Sequence, residues 1–257
     1  MPTNLEHYIK VMNKIPNGTK ALIFAAGLGT RLKPFTNFHP KSLALVNGKP
    51  LLQRNIQYLQ SFGINDFVIN VHHFADQIRT FLSENNNFGS TINISHEIEQ
   101  PLETGGGLLF AREFFQNCAS PFVILNADIL TNLDLGEMYT NHLLQKPLVS
   151  LAITNRISSR NLLFNQDQQL CGWENNKTGE KRISRQHENL NPKAFSGVHI
   201  VDPLLLSLIT QTGIFSIIDT YLDLAKNHTI LGYDHSNDCV VDVGKPESIL
   251  EAEKYFK

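Results

Sequence analysis

Cysteine is scarce in this chain. Only Cys118, Cys171 and Cys239 occur, far apart and with no Cys-x-x-Cys pair. That argues against a structural zinc site or a disulfide framework and for a reducing, cytoplasmic setting. No apolar run approaches the roughly 18 residues that a membrane span requires, so none is expected. Neither sign of charge dominates. Lys and Arg number 22 against 24 Asp and Glu, a net charge of −2, which provides no global basic field for nucleic acid. The opening stretch MPTNLEHYIKVMNKIPNG has no apolar signal core and no small-residue cleavage site. It reads as an amphipathic extension over 1–18, with Leu5, Tyr8, Ile9 and Met12 on one helical face. Internal repeats, low-complexity segments and long linkers are also missing.

What remains is a chain of 257 residues, 42% apolar, enough for one large α/β domain. KALIFAAG (20–27) suits a buried parallel strand ending in glycine. A helix follows from Pro50 to Gly63, and then DFVINVHHF is a strand, ADQIRTFLSENNN a helix and STINISHEIE a strand. GGGLLFAREFFQ is expected to start a helix from three glycines. SPFVILNAD is a strand ending on Asp128, and KPLVSLAIT is the next. This alternation implies right-handed crossovers and a mostly parallel sheet flanked by helices. Ligands on such sheets sit beyond the carboxyl ends of the strands. The second half is less regular. It has a hairpin-like stretch with polar turns at 165–168 and 175–179, a strand at 193–202, an amphipathic helix, and a strand–turn–helix ending. It reads as a smaller mixed β lobe. One domain over 19–257 is expected, its halves dividing near 150.

The stretch FAAGLGTRLKPFTNFHPKSL (24–43) carries the chemistry. Gly27, Gly29 and Thr30 form a turn where backbone N–H groups can approach an anion. A dinucleotide fingerprint needs a third glycine where Leu32 stands. A Walker A loop needs Gly-Lys-Ser/Thr, which is missing. Gly-x-Gly alone would be only a tight turn, but Arg31 and Lys41 add a rigid fork and a point charge suited to phosphate.

This stretch resembles the signature of the sugar-1-phosphate nucleotidyltransferases, or nucleotide-sugar pyrophosphorylases. The pattern Gly-x-Gly-Thr/Ser-Arg-Leu/Met-x-Pro-x-Thr, a spacer, then Pro-Lys is met by Gly27, Gly29, Thr30, Arg31, Leu32, Pro34, Thr36, Pro40 and Lys41. QPLETGGGL (100–108) resembles the family's base-recognition loop, LNAD its metal-aspartate strand end, FSGVHI (195–200) its sugar-facing strand, and VVDVGKPESI its second metal segment. In that segment Val240 and Lys245 replace the usual Trp and Thr. The likeness is strongest to the short N-acetylmuramate 1-phosphate uridylyltransferase and mannose-1-phosphate guanylyltransferase-like branch. It implies a Rossmann-like α/β fold, with a nucleotide-binding half over about 19–150 and a sugar-binding half over about 151–257.

The resemblance also implies a reaction: a sugar phosphate attacks the α-phosphorus of an NTP and pyrophosphate leaves. A phosphate monoester is already largely ionised, with a second pKa of about 6, so no general base is needed. Arg31 and Lys41 are the expected catalytic groups. Ala25, Ala26, Gly27, Gly29, Thr30, Gln100, Gly105 and Gly106 are expected at the nucleotide. Asn126, Ser196, Gly197 and Lys181 are expected at the sugar, and Asp128 and Asp242 are the expected magnesium ligands. Taken as pure solvent-facing polarity, the Glu180–Lys181 turn would do nothing, and Asp128 would be a helix cap. His72 and His73 alternate across a strand and read as ordinary strand-end residues. Gln100 can donate and accept, which leans the expectation to UTP. The acceptor is left as a muramate, mannose, glucose or heptose type, and homo-oligomer formation is left open. The chain stops soon after its last helix, so only the transfer step is expected. The alternatives are a silent regulatory or assembly subunit, which would have lost some of the four charged positions, and a cofactor-modifying transferase, disfavoured by Pro40–Lys41 and FSGVHI.

Overall fold

A computed structural model describes residues 15–257. The amphipathic face expected of Leu5, Tyr8, Ile9 and Met12 lies outside the described residues. The strands, in chain order, are β1 (Lys20–Phe24), β2 (Leu45–Val46), β3 (Lys49–Pro50), β4 (Asp66–Val71), β5 (Thr91–His96), β6 (Phe122–Asn126), β7 (Ile129–Thr131), β8 (Val149–Thr154), β9 (Arg160–Phe164), β10 (Leu170–Asn175), β11 (Lys181–Ile183), β12 (Asn191–Val201), β13 (Ile230–Asp234) and β14 (Val240–Asp242). The first half is a parallel sheet in the order β5-β4-β1-β6. β12 then enters antiparallel to β6 and extends the sheet into β9, β10, β11 and, on a branch, β8 and β13.

Strand alternation divides the core. Ala21, Ile23, Val123 and Leu125 face one layer, with apolar side chains of the helices Leu51–Ser61, Ala75–Glu84 and Leu135–Gln145. Leu22, Phe122 and Ile124 face the other layer, with the helices Glu103–Phe110 and Ile217–Leu224. A third, smaller cluster lies under the loops. Leu32, Ala44, Val46, Leu51, Leu130, Val241, Val243 and Ala252 pack there with Phe35 and Ile249. It joins the glycine loop, a two-stranded ribbon of β7 and β14, and the last helix, Pro246–Tyr255.

The helix Leu135–Gln145 and the strands β2, β3 and β13 were not anticipated, and two further differences bear on the site. The ribbon strand β7 went unread because only three residues follow Asp128 before the chain turns away. The glycine-started helix instead begins at Glu103, so Gly105, Gly106 and Gly107 lie within it. Their role is close approach. A Cβ on Gly105 would sit 2.4 Å from the Phe215 ring, and one on Gly106 2.4 Å from the Gly213 carbonyl.

Candidate active site

The parallel sheet builds the site from its carboxyl edge. Register places Phe24 beside both Asn70 and Asn126. The chain leaves those strands under backbone control: Ala25 N–H donates to the Asn70 carbonyl at 2.8 Å, and Ala127 N–H to the Phe24 carbonyl at 3.0 Å. Above this edge opens a cavity of about 540 Å³. Ala25, Ala26, Gly27, Gly29, Thr30, Arg31, Lys41, Asn126 and Asp128 line it, together with Ser42, Asn70, Pro101, Glu103, Thr104 and Gly244.

The glycine loop folds as three short 3₁₀ turns, Thr30–Leu32, Phe35–Asn37 and Lys41–Leu43. Gly29 sits at φ +60°, and a Cβ there would lie 2.9 Å from both Lys41 Cβ and Thr36 Cγ2. Only glycine allows the Lys41 stem to cross the turn this closely. Thr36 Oγ1 locks the crossing by donating to the Gly29 carbonyl at 2.9 Å. The Lys41 ammonium then forms an ion pair with Asp128 Oδ2.

The β7–β14 ribbon supplies the second carboxylate. Asp242 is in register with Ile129, and Val243 N–H donates to the Asp128 carbonyl at 2.8 Å. Asp242 stands at the cavity rim rather than in its lining. A Cβ on Gly244 would lie 2.7 Å from Arg31 Nη2 and 2.8 Å from Asp242 Oδ1, so guanidinium and carboxylate both approach that glycine. Burial and the nearby Asp128 charge push the Asp242 carboxyl above its ordinary pKa, against Lys41, Arg31 and Arg156. Among the described residues no cluster of three or more His, Cys, Asp or Glu forms a closed metal cage. Two carboxylates in mutual repulsion fit magnesium, which takes one or two carboxylates and completes its shell with substrate phosphates and water.

The remaining expected residues lie elsewhere. Gln100 is exposed and outside the cavity lining, so the lean to UTP loses its structural footing. The N–H groups of Gly105 and Gly106 both donate to the Phe215 carbonyl, at 2.9 and 3.2 Å. Their amides anchor the helix. Ser196 is fully buried, and its Oγ is hydrogen bonded to His235 Nε2 at 2.8 Å. Gly197, at φ +72° where β12 shifts register, packs against Asn126. Lys181 is exposed and lines neither this cavity nor the pocket beside it; its neighbour Arg182 lines that pocket. His72 Nδ1 is held by the Glu97 carbonyl at 2.6 Å, and the His73 ring lies tilted against Phe74, centroids 3.8 Å apart.

Sequence reasoning missed Glu97. Its buried carboxylate accepts from Asn70 Nδ2 and from Leu102 N–H, each at 2.8 Å, tying the 100–104 loop to the sheet edge. Arg156 was missed too. It donates to the Phe195 carbonyl at 2.7 Å, and its charge acts on both Asp242 and His235. Neither residue lies in a local motif. Strand alternation puts Glu97 on the polar face with Asn93 and Ser95, just past β5, so its burial left no sequence signal.

A glycine turn with Arg31 and Lys41, facing two aspartates at the carboxyl edge of a parallel sheet, defines an α/β protein with a site suited to phosphate groups. The chain belongs to the nucleotidyl transferase family, whose model matches residues 20–160. It is 26% identical over 240 residues to the mannose-1-phosphate guanylyltransferase catalytic subunit beta of Drosophila pseudoobscura pseudoobscura, covering 92% of this chain and 62% of that protein. The chain thus spans less than two thirds of the length of that relative. In fold it is similar to a glucose-1-phosphate thymidylyltransferase of Bacillus anthracis, described as putative and solved with a sucrose (TM-score 0.76, 19% identity, 92% of this chain and 94% of that one). It is also similar to HddC of Yersinia pseudotuberculosis, solved with GMP-PN (TM-score 0.73, 22% identity, 93% of this chain and 100% of that one). No helix among the described residues is long and apolar enough to cross a membrane.

Proposed function

We propose that this chain transfers a nucleotidyl group from GTP to a sugar 1-phosphate, releasing pyrophosphate. The observation that carries the reading is the convergence of Arg31, Lys41, Asp128 and the Gly27–Thr30 turn on one cavity, with Asp242 at its rim. An oxygen of the sugar phosphate bonds to the α-phosphorus, and the bond from that phosphorus to the α,β-bridging oxygen breaks. The electron pair leaves with pyrophosphate. The nucleophile is already ionised, so the residues need only align and neutralise. The glycine turn binds the triphosphate. Arg31 stabilises charge on the leaving phosphates. Lys41, steered by Asp128, holds the incoming phosphate against the α-phosphate. Asp128 and Asp242 would hold magnesium, which supplies neutralisation of the gathered phosphate oxygens.

Asn126 and Ser42 line the cavity and bring polar side chains suited to a hydroxylated ligand. GTP is preferred over UTP on two grounds. The Drosophila relative is named a guanylyltransferase. Glu103, which lines the cavity in a left-handed backbone conformation at φ +59°, offers a carboxylate that only accepts, matching the donor edge of guanine. The three free cysteines agree with a reducing, cytoplasmic setting.

The test is pyrophosphate release from the purified chain with magnesium, the four common NTPs and a panel of sugar 1-phosphates that includes mannose 1-phosphate. GTP should give the fastest turnover, and Glu103→Gln should narrow its lead over UTP. No release with any pair would sink the reading and favour a silent subunit of the same fold.

A further inference from the structure

A second pocket, of about 410 Å³, opens beside the phosphate cavity. Its lining includes Arg160, Leu162, Trp173, Arg182, Phe195 and Asp219. Register explains the grouping. Leu162 lies opposite Trp173, and Trp173 opposite Arg182, so the three share one sheet face, with Arg160 two residues before Leu162 on the same side. The same rule places Lys181 on the opposite face.

Two chain segments run from one pocket to the other. On one side β12 carries Phe195 into the second pocket, while Gly197 packs on Asn126 in the first. On the other, Ser216 lines the second pocket, and the next residue, Ile217, donates its N–H to Thr104 Oγ1 in the first at 3.0 Å. A ligand whose phosphate lies by Lys41 therefore has an adjacent place for its other end.

That place is aromatic and cationic. The Arg160 guanidinium has no partner among the described residues. Arg182 is paired with Asp219 in a solvent-accessible contact, which leaves donors of its five-donor fork for a ligand. The helix Ile217–Leu224 supplies no anion site, since the N–H groups of Ile217, Ile218 and Asp219 are taken by Thr104, the Ser216 side chain and the Ser216 carbonyl. The two arginines carry the recognition alone. An uncharged sugar could stack on Trp173 and accept hydrogen bonds from the arginines, but it would bring no counter-charge to Arg160, which has none among the described residues.

Resting on the transfer reading above, we propose that the acceptor is a sugar 1-phosphate bearing a second anionic group, a carboxylate or phosphate, which Arg160 and Arg182 bind over Trp173. Trp173 is the only tryptophan in the chain, so its fluorescence reports this pocket directly, without turnover. Mannose 1-phosphate, mannuronic acid 1-phosphate and mannose 1,6-bisphosphate are titrated in turn. At least one of the two anionic sugars should bind about tenfold more tightly than mannose 1-phosphate, the size of one charge-assisted hydrogen bond. The tighter of the two identifies the anion, and added salt should erode the gap. Arg160→Gln and Arg182→Gln should each shrink the ratio of kcat/KM for the anionic over the neutral acceptor by a comparable factor. Asp219→Asn, which frees Arg182, should widen it, a gain that misfolding cannot mimic. Equal affinity for all three sugars overturns the proposal. So does turnover without any Trp173 response, which would leave the transfer reading standing. Absence of both response and turnover with every donor and acceptor would remove the two together.

Discussion

The two ends of the cleft are made by different means. At the phosphate end, function resides in consecutive backbone: one turn, Gly27 to Arg31, with Lys41 folded back over Gly29. At the far end, function resides in side chains standing from strands β9, β10, β11 and β12, brought together only by cross-strand register. A phosphate is the same in every substrate and is met by a fixed local shape. The remainder of an acceptor varies and is met by exchangeable side chains on a rigid sheet. Chemistry common to a reaction class thus collects in a motif, and choice of substrate collects in positions with no motif.

Substitutions can break this contrast. The largest effect is expected at the phosphate end. Arg31→Ala or Lys41→Ala should each lower kcat about 10²–10³-fold, the cost of losing one preorganised charge-stabilising donor. Stability should change by no more than about 1 kcal/mol for Arg31→Ala, whose side chain is exposed, and the kcat loss at Lys41→Ala should exceed any fall in its urea midpoint. A matched fall in kcat and urea midpoint would instead make them structural.

The next effect tests the scaffold that both ends share. His142 is buried between the helix Leu135–Gln145 and β8, with Nδ1 and Ser150 Oγ hydrogen bonded at 2.9 Å. Burial lowers its pKa to about 4, partly offset by Asp202. Its stabilising contribution is therefore complete above the unfolded value of about 6.5 and is lost as pH falls towards 4. The lowered pKa corresponds to about 3 kcal/mol. Burial of His199, lowered to about 3, acts in the same direction. Urea titrations from pH 7 to 4.5 should show this slope, and His142→Gln should flatten it. An unchanged slope in the variant would assign the effect elsewhere.

Smaller again is Glu97→Ala, expected to cost about 2 kcal/mol by stranding Asn70 Nδ2 and Leu102 N–H. It should also raise KM for the nucleotide more than KM for the sugar, because the loop it secures lies on the nucleotide side. Equal effects on both would show that the two ends are not separately supported. The smallest is Ser216→Ala, which removes a helix cap between the ends and should cost about 1 kcal/mol by thermal melting.

The same contrast governed what could be read in advance. The parallel half was legible because each strand is a short apolar run followed by a helix of regular period, and its loop because nine matched positions lie within fifteen residues, 27–41. Asp128 and Asp242 were legible as strand ends, but the ribbon that joins them was not, since β7 and β14 are three residues each and pair across more than a hundred positions. Lys181 was singled out as one of a charged pair in sequence. Strand alternation places Arg182 in the pocket instead, and no local pattern encodes which neighbour faces inward. Gln100 was read from its place in a loop whose conformation depends on the nearby buried Glu97 and on the distant Phe215.

The small cluster beneath the loops has a consequence for heat. Leu32 follows Arg31 directly, Val241 and Val243 flank Asp242, and Leu130 lies two residues beyond Asp128. The last helix presses on the same group through Ala252, and its Glu253 and Phe256 carbonyls accept from Asn47 Nδ2 at 2.8 and 3.0 Å. This cluster has few members and only two-stranded ribbons across it, so it opens at a lower free energy than the two layers of the main core. Activity should therefore have its own melting temperature, below that of the fold: on warming, turnover should vanish while far-UV circular dichroism still records an intact sheet, and return on cooling.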